Sequence, residues 1–269
     1  MIRPDLLRRA PQCRKEPPPG YVWVPPPINV VFTFCERDKE QAIRVLNWQS
    51  ELAPHQPNEL HLLTDEGVEC GDLVRIAQSS WQKVHLHRIV PVVGKWPQGP
   101  NHAFVETCKI MAQFKKPWLL WEADAIPSRR DWLQRLEQEY AEAKRPFAGP
   151  WMDHFDLVNG GGTIYPPDVL PWIPNFLKKP AVDHLAYDVV IAPEVVNFTH
   201  PMNHLSANYF YFRTNGRPGG MAENMPKWTK SALDWAHTKD LCLLHRDKSG
   251  DCIPFLREKL GVDRQRRLN

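Results

Sequence analysis

Short apolar runs alternate with helix-spaced segments through the first 145 residues, and that alternation restricts the fold more than any other feature. "INVVFTF" (Ile28–Phe34) is β-branched and aromatic, the composition of a buried strand. In the following "CERDKEQAIRVLNWQSEL", residues Ala42, Val45, Leu46 and Leu52 keep helical spacing. A second strand is expected at "ELHLLTD" (Glu59–Asp65), then a helix around Leu73–Ser80 and a third strand at "KVHLHRIV". "PVVGKWPQGPN" reads as a loop, and "HAFVETCKIMAQF" as a helix with Phe104, Thr107, Cys108, Met111 and Phe114 on one face. "PWLLWEAD" is a fourth strand. Ser128, with Asp131 three residues on, resembles a capping box for a helix that buries Trp132, Leu133, Leu136 and Tyr140. Strands alternating with helices imply an α/β fold with one open, largely parallel central sheet flanked by helices.

The 269 residues suffice for a sizeable core, and no internal repeat or domain boundary breaks them. Proline-rich "KEPPPGYVWVPPP" makes residues 1–27 an extended preface, leaving 28–269 as one domain. The net charge of +3 is small, but basic residues gather at both ends, in "RPDLLRR" and "DRQRR". No apolar run reaches the roughly 18 residues of a membrane span, and the N-terminus lacks a signal-peptide core. Six scattered cysteines without framework spacing suggest reduced thiols in a cytoplasm. The expectation is a cytoplasmic protein with no membrane partner.

Three clusters carry chemistry. "LLWEAD" puts Glu122 and Asp124 at a strand's carboxyl end, where open α/β sheets gather ligands. At period two, both side chains point the same way across Ala123. Two such carboxylates repel unless a cation sits between them, and Mg²⁺ or Mn²⁺ suits that donor set. Alternatively, they are acids decorating a helix N-terminus. "NGGGTIYP" offers Asn159, whose amide can read a sugar hydroxyl, and Gly160 and Gly161, which let backbone approach a ligand. A hairpin turn needing positive φ is the plainer reading of those glycines. In "CLLHRDKSGD", His245 can complete a metal shell and Lys248 can neutralise a diphosphate.

"WEAD" at a strand end, then "NGGGTIYP", then H-x-x-K-x-G together resemble the metal-dependent GT-A glycosyltransferases, from about Ile28 to Leu256. The opening "VVFTFCERD" and the "LLTD" of the second strand are also similar to that fold's nucleotide-binding part. The resemblance implies a nucleotide-diphosphate sugar donor, commonly a UDP-sugar. It also implies a Mn²⁺ or Mg²⁺ cofactor held by Glu122, Asp124 and His245. Glu122 departs from the family's first Asp, which favours Asp124 as the direct ligand. Donor-binding residues are implied at Thr33, Asp65, Asn101, Glu122, Asn159, Gly160, Gly161 and Lys248. For an inverting transfer, the general base is expected after the glycine turn: Asp188 in "AYDVVI", with Asp183 in reserve.

The acceptor is read from weaker signals. Compact Trp- and Pro-rich chains with a late "HRDKSGD" look similar to bacteriophage glycosyltransferases, including those that modify hydroxymethylated DNA bases. The basic ends, Lys115–Lys116 and Lys178–Lys179, with Trp151, Trp172 and Trp228, could serve a DNA acceptor. A cytosolic glycan or lipopolysaccharide precursor would use the same aromatics, and a non-catalytic sugar-nucleotide-binding module is a further reading. A nuclease would place a lysine beside the acids, and "WEADA" has none. Zinc at His237, Cys242, His245 and Cys252 has the spacing of no common finger. The remaining histidines, among them His85 and His87, are read as structural or surface groups.

Overall fold

The computed structural model describes residues 17, 20–92, 97–152, 157–158, 161–178, 185–202, 205–206, 233–234, 241–245, 247, 250 and 252–262. The strands run β1 (Asn29–Thr33), β2 (Gln56–Asp65), β3 (Trp81–Ile89), β4 (Trp118–Glu122), β5 (Ile126–Pro127) and β6 (Phe147–Gly149). They continue with β7 (Trp151–Met152), β8 (Leu157–Val158), β9 (Ile164–Tyr165), β10 (Thr199–Pro201), β11 (Leu205–Ser206) and β12 (Leu243–Leu244). Between them lie α1 (Lys39–Leu52), α2 (Gly71–Gln78), α3 (Gln98–Ala112), α4 (Trp132–Ala143), α5 (Pro174–Lys178) and α6 (Tyr187–Val195), and α7 (Cys252–Leu260) follows.

Seven strands form the central sheet in the order β10-β6-β9-β4-β1-β2-β3. β4, β1, β2 and β3 are mutually parallel, β9 runs antiparallel between β4 and β6, and β10 is parallel to β6. A small sheet, β11-β12-β5, stands beside it. The expected α/β architecture with a largely parallel sheet is therefore what the chain adopts.

Both faces of the sheet are covered, which is why its strands read as unbroken apolar runs. On β1 and β4, Val30, Phe32, Leu119 and Trp121 enter one core with Leu46, Leu52, Trp132 and Leu256. The alternate residues Val31, Trp118 and Leu120 enter a second core with Phe104, Met111, Tyr165 and Ile191. The helix-spaced residues Ala42, Val45, Leu46, Leu52, Leu133, Leu136 and Tyr140 are all buried, as their spacing predicts. Trp48 and Trp132 are core residues too.

Two local expectations change. The α4 capping box does not form, because Ser128 Oγ donates to the Leu241 carbonyl. Asp131 instead binds Arg129 and Arg135, and the helix begins at Trp132. Trp172 is no free platform: its ring packs against Tyr21, Phe147 and Phe198 at 5.2–5.5 Å. Within residues 20–27, Trp23 packs against Tyr140 at 5.9 Å. Among the described residues, no helix is long and apolar enough to cross a membrane.

Candidate active site

The site is assembled from the core outwards. Trp121, fully buried, donates its Nε1–H to the Ala125 carbonyl at 2.7 Å. Ala125 N–H in turn bonds the Glu122 carbonyl at 3.0 Å, closing a tight turn over Glu122–Ala125. Deleting a buried tryptophan side chain costs about 3–5 kcal/mol, so this turn is tied to a well-anchored side chain. The strand stops at Glu122, and Asp124 sits in the turn. The two acids therefore do not share a face by strand alternation, as the sequence suggests. The turn brings them together instead.

The third member arrives from 120 residues away. β12 pairs antiparallel with β5, matching Leu244 to Ile126 and Leu243 to Pro127. The next residue, His245, is thereby delivered beside the turn. Asp247 N–H bonds the Asp124 carbonyl at 2.9 Å and fixes the register. Asp247 is itself buried: its carbonyl accepts from Gln41 Nε2, and its Oδ2 accepts the Cys252 N–H, each at 2.8 Å. That residue was not singled out in the sequence, although its place five positions before α7 is where a buried acid can hold a helix start.

His245 Nε2 lies 2.8 Å from Glu122 Oε2 and 3.1 Å from Asp124 Oδ1. The imidazole is buried, while the Glu122 and Asp124 side chains are 36% and 20% exposed. Burial opposes charge on His245, but Asp124 and Glu122 outweigh it and raise its pKa to about 10.

The donor set fits a divalent ion. One ligand atom from each of Glu122, Asp124 and His245 lies within 4.8 Å of the others. Two carboxylates and one imidazole suit a hard or borderline cation, which would displace the His245 proton on binding. Gly161 completes the cradle: a Cβ there would stand 2.8 Å from Glu122 Cδ and 3.2 Å from His245 Cε1. Only a residue without a side chain leaves this space open. The next residue, Gly162, has φ +86° and donates its N–H to the Leu120 carbonyl at 2.7 Å. The glycine run thus serves both close approach and positive φ, at successive positions.

Thr33 lies beside Glu122 in the β1–β4 register, and Asp65 ends the neighbouring β2. Thr33, Asp65 and Glu122 thus mark the carboxyl edge of three adjacent parallel strands. Asn101 lies in the first turn of α3, and its Nδ2 donates to the Leu185 carbonyl at 3.0 Å. That bond ties α3 to the approach to α6. Asp188 lies in the first turn of α6. Burial pushes the Tyr165 and Tyr187 phenols well up, and Asp188 and Glu122 add to both shifts. Asn159, Gly160, Asp183, Lys248, Trp228 and His237 lie outside the described residues, as does the Trp151 side chain. Cys242 and Cys252 are buried and in no disulfide among the described residues, and His245 faces the Glu122 and Asp124 carboxylates.

A parallel sheet with an inserted antiparallel strand, and acids at its carboxyl edge, define an α/β fold of the GT-A class. The chain superposes on an active-site mutant of the galactosyltransferase LgtC with a TM-score of 0.57 at 11% identity. That match covers 87% of this chain and 95% of LgtC. WbbM, a bifunctional glycosyltransferase, aligns at 0.49 and 9% identity over 71% of this chain, which spans 40% of WbbM. Mouse xyloside xylosyltransferase 1 aligns at 0.47 and 11% identity, covering 82% of this chain and 96% of that one. No family model and no curated protein sequence matches the chain. The likeness to LgtC shows the fold.

Proposed function

We propose that this protein is a metal-dependent glycosyltransferase that moves a hexose from a nucleotide-diphosphate sugar, a UDP-sugar by preference, to an acceptor hydroxyl. The observation that carries the reading is the convergence of Glu122, Asp124 and His245 beneath Gly161 at the carboxyl edge of a GT-A sheet. A Mn²⁺ or Mg²⁺ ion held there would act as a Lewis acid on the donor diphosphate. The protein's residues do the rest. His245 would give up its proton to become a ligand beside the Glu122 and Asp124 carboxylates. Lys248 neutralises the departing diphosphate as a point charge. Thr33 and Asp65 hold the nucleoside end, with Asn101 shaping the wall between α3 and α6. Asn159, Gly160 and Gly161 receive the sugar.

For inverting transfer, Asp188 takes the acceptor proton, and Asp183 is the reserve. Its position in the first turn of α6, downstream of the glycine turn, supports Asp188. The basic ends of the chain support a polyanionic acceptor, DNA bearing a 5-hydroxymethylpyrimidine, over a neutral glycan. The five cysteines among the described residues form no disulfide with one another, which supports a reducing compartment such as the cytoplasm.

The test is incubation with a panel of nucleotide sugars and Mn²⁺, offering hydroxymethylated DNA and simple sugars as acceptors, read by mass spectrometry. Metal-dependent transfer or hydrolysis of one donor is expected. Binding without turnover would make the chain a sugar-nucleotide-binding module, and binding of no nucleotide sugar would overturn the reading.

A further inference from the structure

A second group of metal-capable side chains lies apart from the Glu122 site, on β2 and the edge strand β3. Glu59 and His61 alternate along β2, and His85 and His87 along β3. The parallel register sets His61 opposite His85 and Leu63 opposite His87. With a side-chain period of two, all four groups project from one face of the sheet. The His61 ring stacks on His85 at 4.5 Å and on His87 at 5.2 Å, both within 9° of parallel. Phe114, just past α3, closes over them edge-on, 4.4 Å from His61.

The hydrogen bonds of this group leave one atom over. His85 Nε2 meets Glu59 Oε2 at 2.8 Å, and His61 Nδ1 meets His87 Nε2 at 3.0 Å. His61 Nε2 has no partner, on a ring with no exposed surface. Leaving such a nitrogen unsatisfied costs about 1–3 kcal/mol. One carboxylate and two imidazoles lie together there, their ligand atoms within 4.8 Å of one another.

We propose that Glu59, His61 and His85 bind a borderline transition-metal ion of the Zn²⁺ class, which clamps the edge strand β3 to β2. The donor chemistry separates this site from the other. Two imidazoles and one carboxylate select Zn²⁺ over Mg²⁺, whereas the Glu122 set is richer in oxygen. His87 is a positioning residue: in the tautomer in which its Nε2 accepts from His61 Nδ1–H, the His61 lone pair is on Nε2, the atom without a partner. A cleft of about 440 Å³, lined in part by Asn58, Glu59, Gln82, Lys83 and Lys116, opens beside Glu59. Lys116 and Lys83, now 3.0 and 3.4 Å from the Glu59 carboxylate, are 41% and 60% exposed. Swinging them into solvent costs little, since exposed pairs contribute little.

The experiment uses tag-free, full-length protein stripped of metal, in a Glu122→Gln/Asp124→Asn background that silences the first donor set. Equilibrium dialysis against Zn²⁺ with elemental analysis should find one bound equivalent, with no uptake of Mg²⁺. Free Zn²⁺ at 100 times its dissociation constant should raise Tm by roughly 5–10 °C. Adding His85→Gln, at a half-exposed position, should abolish both effects while far-UV circular dichroism stays unchanged. If that variant does not fold, Glu59→Gln serves in its place with the same expectation. No Zn²⁺ uptake by the background protein, or uptake that survives both substitutions, would show a histidine stack without a metal and overturn the proposal.

Discussion

Gly161 stands against the Glu122 side chain so closely that a Cβ would overlap the carboxylate, with Glu122 Cδ 2.8 Å away. The obstructing atoms are the far end of a flexible side chain, so the backbone need not move. Glu122 would swing instead, away from His245. Gly161→Ala should therefore cost under about 1 kcal/mol of stability while lowering Mn²⁺ affinity and transfer by about 10-fold or more. Gly162→Ala should behave in the opposite way. Its φ of +86° makes an alanine there strained by about 1 kcal/mol or more, with less direct effect on the metal. Urea unfolding beside metal titration separates the two; equal losses of stability in both variants would sink this account.

Asp124 is the carboxylate most enclosed by the site, and the backbone bond from Asp247 holds its carbonyl rather than its side chain. Asp124→Asn should keep the fold and lower turnover by at least about 100-fold. Excess chelator should do the same to the native protein, with Mn²⁺ restoring activity. Full transfer in chelator would remove the metal from the mechanism.

Asp247 is nearly inaccessible and holds the His245 segment to both α1 and α7. Asp247→Ala leaves the Cys252 N–H without its acceptor, a loss of about 1–3 kcal/mol. Because His245 is two residues away, metal affinity should fall together with Tm. Asp247→Asn, which keeps an acceptor oxygen, should recover most of both. A Tm loss with unchanged metal affinity would confine Asp247 to a structural role.

Much of this fold is legible in the sequence for a physical reason. β1 and β4 bury both faces, so "NVVFT" and "WLLWE" appear as short apolar runs, the mark of central strands in a covered sheet. The helices declare themselves through buried stripes such as Trp132, Leu133, Leu136 and Tyr140. The site was half legible. Glu122, Asp124 and His245 are recognisable as donors, but how they meet is not. A turn pinned by Trp121 Nε1 and the distant pairing of β12 with β5 bring them together, and neither leaves a local pattern. Ser128 shows the converse. Its spacing to Asp131 suggests a cap, yet a carbonyl more than 100 residues away claims the hydroxyl. His61 and His85 look unrelated in sequence because only the parallel register of β2 and β3 makes them neighbours.

Asp131 gives a pH-dependent test of the start of α4. Its two oxygens accept from Arg129 Nε at 2.8 Å and Arg135 Nε at 2.7 Å. Burial pushes the carboxyl up, but the two guanidinium groups outweigh it and bring its pKa below 3.8. A depressed acid stabilises above its unfolded pKa, and that contribution is lost as pH falls through the folded value. Asp131 is half exposed, so the contribution is about 0.2–1 kcal/mol. Asp131→Asn should be less stable than the native protein at pH 7, and the gap should close below pH ~3.8. A gap that stays constant with pH would assign the effect to something other than charge.

The acceptor can be decided by salt. A DNA acceptor is held partly by released counterions, so log K should fall linearly with log salt, by about 0.9 per phosphate contacted. The basic residues that would make those contacts lie in "RPDLLRR" near the start and "DRQRR" near the end. Removing Met1–Lys15 should therefore flatten the salt slope and raise KM for hydroxymethylated DNA, with KM for the sugar nucleotide unchanged. The target base of such an acceptor must also leave the stack to reach the proposed general base, so single-stranded or mismatched DNA should react at least as fast as duplex. A neutral glycan acceptor predicts the reverse: transfer indifferent to salt and to the first 15 residues. Sugar appearing on a free glycan, with none on hydroxymethylated DNA, would decide against the nucleic acid and leave the Glu122–Asp124–His245 chemistry intact.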